Sequence, residues 1–198
     1  LPLLHRGKVR DIFDIDEKHM LIVTTDRLSA FDVVFDEPIP EKGKILTSIA
    51  NYWFKKTNHI IQNHLTEINI NEVLSYKESE QLKDRAIVVK KLKPIPIEAV
   101  VRGYLIGSGW KEYTNTGAVC GIRLPKQMRL AEKLDQAIFT PSSKADVGKH
   151  DENISFIETK NIVGEELATQ IKNTSIRLYD FASKHSIKRG IIIADTKF

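Results

Sequence analysis

Apolar residues follow two rhythms along this chain, and the switches between them mark its elements. Between residues 8 and 35, the β-prone runs 9–15, 20–24 and 31–35 are separated by Asp16-Glu17-Lys18 and Asp26-Arg27. This pattern predicts a strand meander. Residues 43–65 change to the helical period: Ile45, Leu46, Ile49, Trp53, Ile60 and Ile61 recur on one face, and Tyr52 and Trp53 are expected to pack. Residues 71–84 read as a second, polar helix that begins near Asn71, with Glu72 in its first turn. The β-branched runs 87–89 and 97–101 flank a link carrying Pro94 and Pro96, which predicts strand, rigid connector, strand. Residues 110–113 are compatible with a helix, and 114–134 with a loop or a short hairpin around Gly117 and Gly121. One long helix is expected over 159–186, capped by Thr159 and burying Ile162, Leu167, Ile171, Leu178 and Phe181. A buried strand is expected over 190–195.

Composition narrows the picture only a little. The 198 residues suffice for one large domain or two small ones, and 41% hydrophobic with 28% charged residues is ordinary globular usage. A net charge of +4, from 30 cations against 26 anions, suits anionic small molecules as well as nucleic acid. Aromatic residues are only 8%, and those near basic residues form no stacking platform, which argues against an RNA-binding module. The single Cys120 rules out an internal disulfide framework, fits a reducing cytoplasm and reads as a small buried hydrophobe. No apolar run approaches the ~20 residues of a membrane helix, and the opening L-P-L-L-H-R-G-K is no signal peptide. The first residue is not Met and the last residues fall within a strand-like run, so the sequence is expected to be trimmed at the start and to continue past Phe198.

Candidate chemistry gathers in a few stretches. Alternation on the strand through 97–101 places Glu98, Val100, Arg102 and Tyr104 on one face, and Ala99, Val101 and Gly103 on the other. Gly103, Gly107, Ser108 and Gly109 follow. A glycine-rich turn with Ser at a helix start is a phosphate-binding device. A structural Glu98–Arg102 ion pair beside a plain turn explains the same residues, and both readings stand at this point. Gly7-Lys8 at the first strand can close over a nucleotide phosphate or be a solvated strand end. In D-R-L-S-A-F-D, Ser29 and Ala30 sit among charges, as in a loop whose backbone approaches a ligand. Residues 139–156 are dense in polar groups, among them Ser142, Ser143, Lys144, Asp146, Lys149, His150, Asp151, Glu152 and Asn153. That set is suited to an amino-acid ligand bearing both charges, or to a solvated loop. Asp195 and Lys197 share a strand face, where an acidic residue suits an Mg²⁺–nucleotide complex and a lysine neutralises phosphate; a salt bridge explains them equally. His59 and His64 lack partners at metal-ligand spacing and are expected at the surface.

Taken in order, G-K-V-R-D, D-R-L-S-A-F-D, V-V-K-K-L-K-P-I-P-I-E-A-V-V-R-G-Y, G-S-G-W-K-E-Y, F-T-P-S-S-K-A-D-V-G-K-H-D-E-N-I-S and I-I-I-A-D-T-K-F resemble the phosphoribosylaminoimidazole-succinocarboxamide synthase (SAICAR synthetase) family. The resemblance covers nearly the whole chain. It implies an α+β fold with an ATP-grasp-like nucleotide cleft between two sheet-containing subdomains, here residues 1–92 and 93–198. It implies a cytoplasmic ligase of purine biosynthesis that joins L-aspartate to carboxyaminoimidazole ribonucleotide and cleaves ATP to ADP and phosphate with Mg²⁺. Its partners are these small molecules, with neither nucleic acid nor membrane, in a monomer or a homo-oligomer. The roles it implies are these. Gly7, Lys8 and Arg10 cover the ATP phosphates, and Lys90, Lys91, Leu92 and Lys93 border the adenine. Glu98 and Asp195 are metal ligands and act in catalysis together with Lys197. Arg102 and Ser108 hold the ribonucleotide phosphate, Ser29 joins the substrate site, and Lys144, His150 and Asp151 lie toward aspartate. Family members continue with an E-F-G segment and a further substrate loop that this sequence does not include. The competing class is a small-molecule kinase, which shares the nucleotide site but needs a hydroxyl acceptor.

Overall fold

Alternating apolar residues on adjacent strands build the first sheet. The computed structural model describes residues 1–30, 33–144 and 152–198. They pack as two units, Leu1–Lys93 and Pro94–Phe198. In the first unit, Leu3–Arg6 (β1), Arg10–Asp14 (β2), His19–Thr24 (β3), Ser29–Ala30 (β4) and Val33–Val34 (β5) precede the helix Lys42–Thr57 (α1). The helix Tyr76–Leu82 (α2) and the strand Ala86–Lys90 (β6) follow. Strands β1, β2, β3 and β6 form an antiparallel sheet in that order. The register aligns Phe13, Leu21 and Val88 on one face, beside Asp11, Val23 and Ala86. Leu21, Val23, Ala86 and Val88 are buried there under Ile68, Ile70, Val73, Leu74 and Leu82. The opposite face carries Arg10, Ile12, Asp14, Met20, Ile22, Thr24, Ile87 and Val89.

Several expectations change in this unit. The meander gains β1, so Gly7-Lys8 lies in the turn of the β1–β2 hairpin and does not open the first strand. The expected strand over 31–35 reduces to Val33–Val34 paired with Ser29–Ala30, Phe31 and Asp32 lying outside the described residues. Helix α1 stops at Thr57 because the chain turns back to the sheet edge, where Leu65 bridges Val89 and Lys90 N–H donates to the His64 carbonyl. The face of α1 read as packed is largely exposed: Ile45, Leu46, Ile49 and Tyr52 are at the surface, while Gly43 and Thr47 are buried. A Cβ on Gly43 would sit 2.3 Å from the Thr24 carbonyl oxygen, so only glycine allows this approach of helix to strand. The helix expected over 71–84 divides in two. Asn69 caps a 3₁₀ turn, Ile70–Glu72, and Ser75 with Glu78 forms a capping box that starts α2.

In the second unit, Ile97–Glu98 (β7) and Val100–Tyr104 (β8) precede the helix Gly107–Thr116 (α3), with the hairpin Ala118–Val119 (β9) and Ile122–Arg123 (β10) after it. Lys133–Phe139 (β11), Ser142–Ser143 (β12), Phe156–Val163 (α4), Glu165–Ile187 (α5) and Asp195–Lys197 (β13) complete the chain. Strand β8 lies between β11 and β13, and β7 pairs with β12. The single strand expected over 97–101 therefore breaks at Ala99, where the backbone exchanges partners: Ala99 N–H donates to the Phe198 carbonyl, and Phe198 N–H to that of Ala99. Ala99, Val101, Phe139 and Tyr179 are buried against α5 residues such as Ile171 and Ile176. A second cluster holds Leu105, Tyr113, Val119, Cys120 and Leu134 under α3.

The long helix becomes two. Gly164 has φ +87°, a left-handed geometry that ends α4 and starts α5, and Ser155 with Glu158 forms the cap in place of Thr159. Thr159 is instead fully buried and donates its hydroxyl to the Ser155 carbonyl. The buried strand expected over 190–195 is absent: Ile191 and Ile192 are 58% and 59% exposed, and strand pairing begins only at Asp195. Among the described residues no helix is long and apolar enough to cross a membrane.

Candidate active site

Alternation along β7 and β8 lays out the site. Glu98, Val100 and Arg102 line one pocket of about 270 Å³ with Ser108, Ser142, Asn153, Asp195, Thr196 and Lys197. The antiparallel register places Asp195 opposite Arg102 and Lys197 opposite Val100. The strand faces read from sequence thus bring Glu98, Arg102, Asp195 and Lys197 together.

Arg102 is only 5% exposed, and its charge is met on several sides. Nε donates to Thr140 Oγ1 at 3.1 Å, Nη1 to Asp195 Oδ2 at 3.1 Å, and Nη2 to Ser108 Oγ at 2.8 Å. Nη1 also donates to the Ile106 carbonyl at 3.4 Å, just before α3. Burying a guanidinium without such partners would cost several kcal/mol, so these groups fix its fork in one plane. The alternative pairing of Arg102 with Glu98 does not form. Glu98 Oε2 instead meets Lys197 Nζ at 2.5 Å and accepts from Ser142 Oγ at 3.4 Å. The pairing shifts because β13 brings its own acid to Arg102 and its own base to Glu98.

Ser108 stands in the first turn of α3, whose preceding residue Ile106 makes no side-chain cap. Glu112 on the same helix accepts from Asn153 Nδ2 at 2.7 Å and from Cys120 N–H at 2.8 Å, which orients the Asn153 amide at the pocket. Burial, followed by the nearby Glu112 charge, pushes the Cys120 thiol up to about 12. Ser142 and Asn153 stood out in the sequence only as members of a polar stretch, and Thr140 carried no signal. What identifies them is their spatial contact with Arg102, Glu98 and Glu112.

The residues expected around ATP lie in the first unit at two places. Gly7 and Lys8 form the β1–β2 turn with Arg10 just after it, and Gly7 N–H donates to the Arg10 carbonyl at 2.8 Å. Lys90 to Lys93 leave the far end of β6. There Lys91 N–H donates to the Lys18 carbonyl, Lys91 Nζ pairs with Asp14, and Leu92 is exposed. Arg10 is in register with Thr24 and Lys90 with His19, so the two groups mark opposite ends of β3. His64 is half-buried with its ring edge-on to Phe54 at 4.9 Å, not at the surface; burial and then the Arg10 charge hold its pKa below the usual range. Ser29 lies in the β4–β5 pair of this unit. Lys144 is exposed just beyond β12, and His150 and Asp151 lie outside the described residues.

Sequence reasoning missed the role of D-R in D-R-L-S-A-F-D. Asp26 Oδ1 accepts from Gly43 N–H at 2.8 Å, capping α1 from a distant loop, and pairs with Arg85 at 3.0 Å. The α1 N-terminus supplies no side-chain cap of its own. Arg27 reaches back to the β1–β2 turn.

Among the described residues no group of three or more His, Cys, Asp or Glu side chains is placed to hold a metal ion. The pocket offers two carboxylates, Glu98 and Asp195. Two hard oxygen donors are what Mg²⁺ takes from protein when phosphate oxygens and water complete its shell.

Residues 3–198 match the SAICAR synthetase family. The phosphoribosylaminoimidazole-succinocarboxamide synthase of Nitrosomonas europaea is 57% identical, over 100% of this chain and 68% of that protein. The SAICAR synthase of Saccharomyces cerevisiae, solved in complex with SAICAR, superposes with a TM-score of 0.93 at 42% identity, covering 100% of this chain and 67% of that one. A SAICAR synthetase solved in complex with ADP shares the fold, with a TM-score of 0.76 at 22% identity over 99% of this chain and 73% of that one. The chain thus spans about two thirds of the length of these relatives. An α+β chain with this pocket and this likeness is not favoured as a small-molecule kinase: it belongs to the SAICAR synthetase family, the ATP-dependent ligases of purine biosynthesis.

Proposed function

We propose that the pocket between β7, β8 and β13 activates the carboxylate of carboxyaminoimidazole ribonucleotide for attack by L-aspartate. The observation that carries this reading is the convergence of Glu98, Arg102, Ser108, Asp195 and Lys197 on one pocket in a chain of this family. Amide formation from a carboxylate needs a leaving group. A carboxylate oxygen attacks the γ-phosphorus of ATP and ADP departs, leaving an acyl phosphate. The aspartate amine then adds to the acyl carbon, and the C–O bond breaks to release phosphate and a proton. No protein nucleophile takes part, so this chain's residues act by positioning and charge.

In this reading Arg102 and Ser108 hold the ribonucleotide phosphate, the guanidinium offering a planar fork and Ser108 a hydroxyl at a helix start. Lys197 lies beside the carboxylate that becomes phosphorylated and offsets its charge. Glu98 and Asp195 would hold Mg²⁺, which when bound neutralises charge on the transferring phosphoryl group. Gly7, Lys8 and Arg10 take the ATP phosphates, and the backbone of Lys90 to Lys93 borders the adenine. Residues 19–24 of β3 separate these two ends by about 17 Å at strand rise. The β-face between them, with the partly exposed Ile12, Met20 and Ile22, is apolar and suits a base. By likeness to the family, Ser29 is assigned to the substrates, and Lys144, His150 and Asp151 to aspartate. The buried single Cys120 agrees with a cytoplasmic setting.

The test is steady-state ADP release by the full-length enzyme with ATP, Mg²⁺ and the ribonucleotide, with and without L-aspartate. The reading expects release only when aspartate is present. Release at the same rate without aspartate would mark a phosphotransferase.

A further inference from the structure

The turn between β1 and β2 is held from one side by a single guanidinium. Arg27 Nε donates to the Lys8 carbonyl at 3.1 Å and Nη2 to the Gly7 carbonyl at 2.9 Å. Nη1 and Nη2 bond the two oxygens of Asp11 at 3.1 and 2.7 Å, a bidentate pair. The backbone under Arg27 is fixed in turn: Thr25 N–H and Oγ1 both donate to the Val9 carbonyl, and Lys42 Nζ donates to the Arg27 carbonyl. The side-chain bond with Asp11 holds that carboxyl below its usual pKa, so the clasp stays charged on both sides at neutral pH.

Peptide planarity turns this into a statement about direction. Each trans peptide points its C=O and its N–H to opposite sides. With the Gly7 and Lys8 carbonyls drawn toward Arg27, the N–H groups of Lys8 and Val9 are turned to the other side. The register tells which side that is. Asp11, and Arg27 with it, lies at the face of Val23 and Ala86, whereas Arg10 alternates to the opposite face. The amides are therefore directed toward the side that carries Arg10. Two successive amides beside an arginine make an anion-binding concavity, whereas carbonyls on that side would repel a phosphate.

We propose that Arg27 is the positioning residue of a polyphosphate-binding turn. It removes two carbonyls from the phosphate side and presents the Lys8 and Val9 amides there. The proposal rests on the reading of Gly7, Lys8 and Arg10 as phosphate-binding and goes beyond it, since Arg27 itself faces away from the nucleotide.

The experiment compares Arg27→Lys, Asp11→Asn and Lys8→Ala in the full-length enzyme. Its readouts are the ATP dissociation constant by calorimetry, the Michaelis constants for ATP, ribonucleotide and aspartate, and the melting temperature. Lysine keeps the charge and loses the fork, so Arg27→Lys is expected to weaken ATP about tenfold or more while the other two constants stay within about twofold. Asp11→Asn leaves both carbonyl bonds in place and is expected to lower the melting temperature with less than about a threefold change for ATP. An Arg27 that is merely structural gives the reverse: a lower melting temperature with all three constants moving together, or ATP affinity unchanged, and either result overturns the proposal. Lys8→Ala separates the two levels. If it and Arg27→Lys both leave ATP binding intact, the phosphate reading of the turn fails and the proposal with it. If it weakens ATP binding while Arg27→Lys does not, the clasp alone is refuted.

Discussion

Replacing Arg102 by lysine probes the candidate active site at its most buried charge. The side chain is 5% exposed and donates to Thr140 Oγ1, Asp195 Oδ2 and Ser108 Oγ, three side-chain acceptors around its fork. An ammonium has tetrahedral donors on a different stem and satisfies about one of these acceptors. Two charge-assisted bonds are then lost, each worth about 1.5–3 kcal/mol. Part of that loss is recovered by local rearrangement, so a net cost of about 2–3 kcal/mol is expected, a fall of several degrees in melting temperature. Activity should change selectively. If the fork grips the ribonucleotide phosphate, one lost charged bond raises that Michaelis constant about tenfold or more, and the constants for ATP and aspartate move far less. Three substrate titrations and one melting curve of the variant suffice. A ribonucleotide constant that is unchanged, or that drifts in step with the other two, would refute the phosphate role and leave Arg102 as the structural partner of Asp195 and Thr140.

Other perturbations reach separate parts of the account. Asp195→Asn keeps the shape and removes an anionic ligand, so turnover should fall about a hundredfold or more, and retained turnover would make Asp195 structural. Gly43→Ala places a methyl 2.3 Å from the Thr24 carbonyl, so α1 must move and the melting temperature must drop; an unchanged melting curve would contradict the close approach. Cys120, with its thiol pushed up to about 12, should resist disulfide reagents at pH 8 while the protein is folded and react only on unfolding.

Much of the site was legible in the sequence because strand alternation is a strong rule. Glu98, Val100 and Arg102 do line one pocket with Asp195 and Lys197, although the strand breaks at Ala99 and Tyr104 lines another pocket beside Gly103. Partner choice was not legible. Arg102 and Glu98 are near in sequence, but pairing across β8 and β13 brings Asp195 to one and Lys197 to the other, and no local pattern encodes that register. Helix ends misled for a related reason. Gly164 breaks an otherwise continuous periodicity, and Ser155 with Glu158 outcompetes Thr159 as a cap because its carboxylate reaches back to the cap N–H. On α1 the apolar period is real, yet the buried side is set by small residues: Gly43 lies against Thr24 of β3 and Thr47 is buried, while Ile45 and Ile49 stay outside. Asp26 and Arg27 looked like ordinary loop charges, and only their long-range bonds to Gly43 and to the Gly7–Lys8 turn reveal what they hold.

Following the carboxylate oxygens through one turnover tests the central claim most directly. The ribonucleotide is prepared with ¹⁸O in both carboxylate oxygens and converted by the full-length enzyme with ATP, Mg²⁺ and L-aspartate. The released phosphate is then read by ³¹P NMR or mass spectrometry. Carboxylate activation through an acyl phosphate transfers one labelled oxygen to each inorganic phosphate, while the succinocarboxamide product keeps the other. Phosphate released without label would mean that the ATP γ-phosphoryl group never bonds to the substrate carboxylate, and the role proposed for this pocket would be wrong.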